Sequence, residues 1–137
     1  MVLATPLSTE DVIAVAEFRA ALRTFLRKTE QTARSAGLTP QRYVLLLMIK
    51  GAPDGTERST VTELAERLRL AQSTVTELVR RAEEAGLLRR EPSASDGRVA
   101  HLHLSPEGER RLGQAVRNLA QERHELRLAF EHLESTA

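Results

Sequence analysis

At 137 residues the chain is sized for one domain with its own core, and its 41% hydrophobic and 28% charged content is ordinary for a globular protein. No segment approaches the ~20 apolar residues that span a bilayer, and Met1 to Leu7 lacks the basic start and apolar run of a signal peptide, so a cytoplasmic protein is expected. A net charge of +1 announces no nucleic-acid binder, aromatics at 3% leave little for stacking single-stranded bases, and the absence of cysteine excludes disulfides and thiol switches.

From the N-terminus, Ser8 with Asp11 reads as a capping box. Val15, Phe18, Leu22 and Phe25 follow at spacings of three, four and three, which predicts a long amphipathic helix running towards Gly37. Thr39 caps a second helix with Pro40 at its first position. Tyr43 to Ile49 is almost wholly apolar, so this helix is expected to be the buried strut of the subunit. Gly51, Pro53, Asp54 and Gly55 make a loop, after which a short strand is expected around Ser59 to Val61.

Thr60 followed by Glu63 is a second capping box, because the hydroxyl and the carboxylate each satisfy one orphan backbone N–H of a new helix. Leu64, Ala65 and Leu68 share one face of that helix, and a turn through Arg69 to Ala71 leads into another. The next helix turns Val75, Leu78, Val79 and Ala82 inward and stops at Gly86. Small Ala65 and β-branched Val75 let the two helices cross closely, as a helix-turn-helix requires. Gln72, Ser73, Thr74, Thr76, Glu77, Arg80 and Arg81 are left facing out. Short polar side chains in a first helical turn suit base edges and phosphates, and a helix N-terminus favours a phosphate. An ordinary polar surface helix has the same pattern. Ala71 is a poor N-cap, so the cap falls to water or moves to Ser73.

Leu87 to Glu91 and Ala100 to Leu104 read as paired strands, the second alternating Ala100, Leu102 and Leu104 with His101 and His103. Pro92, Ser93, Ser95 and Asp96-Gly97 are turn formers, so the pair is a hairpin with Arg98 near its tip, placed to enter a minor groove. Asp96 is poised to pair with the Arg98 guanidinium or brace the tip. From Arg67 to Arg98 seven Arg face five acids, a local excess of two, so the placement of individual Arg side chains matters more than the sum. From Glu107 to the end a helix is expected, with Leu112, Val116, Leu119, Leu126, Phe130 and Leu133 forming a stripe interrupted at Arg123. Such a stripe suits either the core of one subunit or an interface between two.

Neither a nucleophile with its base nor a Gly-rich phosphate loop is present, so an enzyme and a cofactor are not expected. His101 and His103 without an acid cluster make a weak metal site, and none is predicted. Gly113 has no turn or helix-end explanation.

These motifs resemble the MarR family of winged-helix transcriptional regulators: Leu38 to Gly51, the helix pair TELAERL and STVTELVRRAEEAGLL, and above all Asp96-x-Arg98 with Leu104 to Gly108 downstream. The likeness covers nearly the whole chain. It implies one mainly α domain, 1–137, with a small β-ribbon: a winged helix-turn-helix lobe over 39–105, with helices 8–36 and 106–135 interlocking as a homodimer base. Arg69, Gln72, Ser73, Thr74, Thr76, Arg80, Asp96 and Arg98 are then the expected contacts to double-stranded DNA, with Arg69 reaching a phosphate from the turn. The family often takes a small aromatic or amphipathic effector between base and lobe. Phe18, Arg42, Tyr43 and Leu47 are candidate lining residues there, equally readable as three core residues and one solvated Arg. The competing function is a winged-helix protein-interaction module that reads no sequence.

Overall fold

Side-chain caps set most helix starts in this computed structural model, which describes residues 5–93, 95 and 97–135. Helix α1 (Thr9–Ser35) begins where the Ser8 hydroxyl accepts from the Asp11 N–H at 3.1 Å. Helix α2 (Pro40–Lys50) begins where Thr39 accepts from the Arg42 N–H, with Pro40 in the first turn. Helix α3 (Val61–Leu68) carries both arms of the Thr60/Glu63 capping box, each at 3.1 Å. Helix α4 (Gln72–Glu84) starts behind Ala71, which gives no side-chain cap, so the start has not moved to Ser73. It ends before Gly86, whose φ of 76° is a left-handed conformation that glycine adopts at little cost.

The wing is an antiparallel pair, β1 (Leu88–Pro92) and β2 (Ala100–Leu104), with Arg90 opposite Leu102. β1 therefore starts one residue later than expected. The strand expected at Ser59 to Val61 shrinks to one bridge, in which Ser59 exchanges both backbone hydrogen bonds with Leu102. Thr60 is already committed to capping α3, so pairing cannot extend further.

The single C-terminal helix is corrected to two, α5 (Pro106–Asn118) and α6 (Ala120–Ser135), broken at Leu119. Leu119 is fully buried, and the Arg123 guanidinium folds back to donate to the Val116 carbonyl at 2.6 Å, satisfying an acceptor at the end of α5. The apolar spacing runs through this break, which is why periodicity alone hides it.

The core gathers Ala33, Leu38, Tyr43, Leu45, Leu46 and Ile49 with Leu64, Val75, Val79, Leu87, Leu102, Leu112 and Leu119. It thus joins the end of α1 and the whole of α5 to the helix-turn-helix and wing, with α2 as the buried strut. The first two-thirds of α1 and all of α6 lie outside it. They pack on each other through Phe18 and Phe130, whose ring centroids are 6.0 Å apart, and through a 2.8 Å pair of Glu17 with His132. α6 buries no residue fully.

Gly113 sits inside α5, where a Cβ would meet only the movable guanidinium end of Arg117, at 3.0 Å. Gly113→Ala is expected to raise unfolding stability by about 0.5–1 kcal/mol in a urea titration, because alanine loses less backbone entropy in a helix. A lowered midpoint would show that Arg117 cannot move aside.

Candidate nucleic-acid interface

The close crossing of α3 and α4 rests on Leu64 and Ala65 packing against Val75 and Val79, all buried. The turn between them passes through Arg69 in the left-handed region, φ 55°, which costs a side chain roughly 1–2 kcal/mol. Arg69 is exposed there, as are Gln72, Ser73, Thr74, Thr76, Arg80 and Arg81 along α4, while Glu77 is half-buried. The expected outward set of the second helix is therefore solvent-facing, with Glu77 partly covered.

Gln72 links that surface to the start of α3. Its side-chain amide donates to the Thr62 hydroxyl at 3.4 Å, and Thr62 with Thr60 lines a recess of about 190 Å3 shared with Arg90 and Arg98. The first turn of α4, the start of α3 and the wing Arg98 thus converge on one region. Arg90 is fixed by Glu83 at 2.8 Å, and Arg58 below the wing by Glu91 at 2.9 Å. Asp96, the expected brace for Arg98, lies outside the described residues.

Arg80 is held at three of its N–H donors by two carboxylates. Glu77 accepts from its Nε at 2.9 Å and its Nη2 at 2.5 Å, Glu84 accepts from its Nη1, and Glu77 also accepts from Arg81 Nε at 3.0 Å. Hydrogen bonding to Arg80, then to Arg81, holds the Glu77 carboxyl at about 2, and the hydrogen bond to Glu77 with the charges of Glu77 and Glu84 pushes Arg80 above its already high ordinary value. A carboxylate with a lowered folded value stabilises above its ordinary 4.5 and loses that contribution as pH falls through about 2, so this pair is charged near neutrality. The clamp was written in the sequence as Glu at i with Arg at i+3 and i+4, a spacing that also describes a solvated helix face.

The four candidate effector residues do not surround one described cavity. Phe18 packs on Phe130, Tyr43 is core, Leu47 lies against the core, and Arg42 is half-buried at the start of α2. Burial raises the Tyr43 hydroxyl above its usual range, with the Arg123 charge opposing. A different cleft, of about 340 Å3, lies between α2 and the helix-turn-helix, lined by Val44, Leu45, Leu68, Leu70 and Leu78 with Pro40 and Gln41. His101 and His103 line separate polar recesses beside the loop at Thr56 to Arg58. Among the described residues no three His, Cys, Asp or Glu gather as a metal site, and no helix is long and apolar enough to cross a membrane.

Two crossed helices followed by an antiparallel ribbon, framed by terminal helices, define a winged-helix protein. A model described as the MarR family matches residues 36–99, from the end of α1 to the wing tip. Over that span, which holds the helix-turn-helix and most of the wing, the chain is similar to the MarR family. It is 31% identical over 90 residues to an uncharacterized HTH-type transcriptional regulator, YsmB of Bacillus subtilis, covering 66% of this chain and 59% of that one. It therefore spans less than two-thirds of that relative's length. Among solved structures it resembles a mutant MarR from E. coli complexed with operator DNA, with a TM-score of 0.65 and 20% identity over 89% of this chain and 85% of that one. It also resembles the M. tuberculosis regulator MOSR in complex with DNA, with a TM-score of 0.60 and 27% identity over 79% and 75%.

Proposed function

We propose that this protein is a homodimeric transcriptional regulator that binds double-stranded DNA with sequence specificity and represses a nearby operon from a pseudo-palindromic operator. The observation that carries the reading is the convergence of the α4 first turn and the wing Arg98 through Gln72 and Thr62. One surface then offers short polar side chains to a major groove and a guanidinium to the adjacent minor groove. The DNA complexes of the E. coli and M. tuberculosis proteins support the same partner. In these terms Ser73, Thr74 and Thr76 meet base edges or phosphates, Arg69 reaches a phosphate from the turn, and Arg80 reads a base.

Dimerisation is supported by apolar side chains that the chain does not cover: Val12, Ile13, Val15 and Leu26 on α1, with Leu128 and Phe130 on α6, are all exposed. A second copy covering them would set two recognition helices on successive major grooves about 34–36 Å apart. A small aromatic or amphipathic effector would relieve repression by binding one separation of the two reading heads better than the other, since equal binding shifts nothing.

The deciding experiment titrates the protein against its own upstream intergenic DNA and a scrambled duplex of equal length, at two salt concentrations. Tight binding with a clear ratio over the scramble is expected. Equal, strongly salt-dependent binding to both would reduce the interaction to electrostatics, and no binding would favour the protein-interaction module. In the same assay Arg98→Ala is expected to weaken binding roughly tenfold and to reduce any preference for A·T-rich flanks, because a narrow minor groove attracts the guanidinium. Unchanged affinity at moderate salt would remove Arg98 from the interface.

A further inference from the structure

An arginine has five N–H donors. In Arg80 three are occupied: Nε and one Nη2 proton by the two oxygens of Glu77, and one Nη1 proton by Glu84. The two that remain are one on each η nitrogen. Such a pair matches an acceptor pair like guanine O6 and N7. An unclamped Arg80 would present either of two forks in many rotamers, and any phosphate would satisfy it as well as a base.

Charge points the same way. Glu77 pairs with both Arg80 and Arg81, and Glu84 with Arg80, so these four side chains of the recognition helix carry no net charge between them. Exposed i,i+3 and i,i+4 pairs contribute little to folding stability, so stability does not account for a carboxylate at the centre of a DNA-facing surface. Glu77 rather than Glu84 is the organising group, because it engages Arg80 at two points and Arg81 at a third.

We infer that Glu77 is a specificity-determining positioning residue: it holds Arg80 as a fixed fork for one guanine per half-site and withholds both arginines from indiscriminate phosphate binding. The inference rests on the DNA-reading function proposed above. Glu77 acts through Arg80 and trades affinity for any duplex against discrimination between duplexes.

The test selects duplexes from a random pool with wild type, Glu77→Gln, Arg80→Ala and the double variant, then titrates each protein against the enriched wild-type duplex and a scramble at two salt concentrations. Wild type is expected to enrich a G·C pair at one position of each half-site, and Arg80→Ala to lose it. Glu77→Gln should weaken that preference about tenfold while binding the scramble at least as tightly, with a steeper salt dependence. In the Arg80→Ala background it should change the base preference no further. Its melting temperature should match wild type, separating the effect from misfolding. An enriched wild-type pool that Glu77→Gln or Arg80→Ala reproduces overturns the inference alone, as does an equal effect of Glu77→Gln in both backgrounds. A wild-type pool without enrichment overturns the DNA-reading function, and this inference with it.

Discussion

Gly108→Ala is expected to destabilise the protein by roughly 3 kcal/mol, the upper part of the range for forcing an extra methyl into a packed site. Gly108 is buried in the first turn of α5, and a Cβ there would lie 2.2 Å from the Leu87 carbonyl oxygen. That oxygen is backbone and already accepts from the Ser105 N–H at 2.9 Å, so no side-chain rotation relieves the clash. The Ser105 hydroxyl further fixes the geometry, accepting from the Gly108 N–H at 3.1 Å and donating to the Gly86 carbonyl at 2.6 Å. Relief requires α5 to lift away from the residue that leads into β1, which loosens the seating of the wing on the helical core. Urea unfolding would show a lowered midpoint with little change in slope. Gly97→Ala is the matched control, because nothing lies within 4 Å of a Cβ there, and it should stay within about 0.5 kcal/mol of wild type. Equal stability of the two variants would mean that α5 is not held against Leu87.

Gly108 marks the boundary of what the sequence makes legible. Signals confined to one turn of chain were readable: the caps at Ser8, Thr39 and Thr60, Pro40 at a first position, and Gly86 just beyond the end of α4. So was the inward face of α4, because a period of 3.6 needs no knowledge of what packs against it. Contacts between distant residues were not. The need for glycine at 108 comes from the Leu87 carbonyl, and the break at Leu119 from burial of that residue and the return of Arg123 onto Val116. The residue at Ser59 was readable as extended but not as limited to one bridge, since the limit is the competing use of Thr60 as a cap.

The candidate interface divides in the same way. Which side chains leave α4 outward followed from periodicity, but their availability did not. The Glu77, Arg80 and Arg81 spacing reads equally as a solvated helix face, and only the structure shows acids of the same helix holding both arginines. The link from Gln72 to Thr62 joins two helices whose separation the sequence did not specify. Phe18, Arg42, Tyr43 and Leu47 rest on resemblance alone as effector residues, and they read equally as three core residues and one solvated Arg; Phe18 packs on Phe130 and Tyr43 in the core.

Ile13→Glu combined with Leu128→Glu is expected to convert the proposed dimer to a monomer and to lower its affinity for a two-half-site duplex by about 10²- to 10⁴-fold, the gain that linking two binding heads confers. Ile13 is 48% exposed and Leu128 50% exposed in the single chain, so neither replacement empties a core site. The principal core lies around α2, α3, α4, the wing and α5, and it does not contain either residue. The contacts that hold α1 to α6 within the chain, Phe18 with Phe130 and Glu17 with His132, are also left in place. The winged-helix lobe should therefore keep its fold while two carboxylates are forced into the apolar face that a second copy would cover, where an unpaired charge is costly. Sedimentation equilibrium reads the mass, circular dichroism confirms that the helices persist, and titration against one- and two-half-site duplexes reads the coupling. A monomer that binds both duplexes with equal weak affinity is the expected result. A variant that keeps wild-type mass and wild-type affinity would show that this apolar face is not a dimer interface.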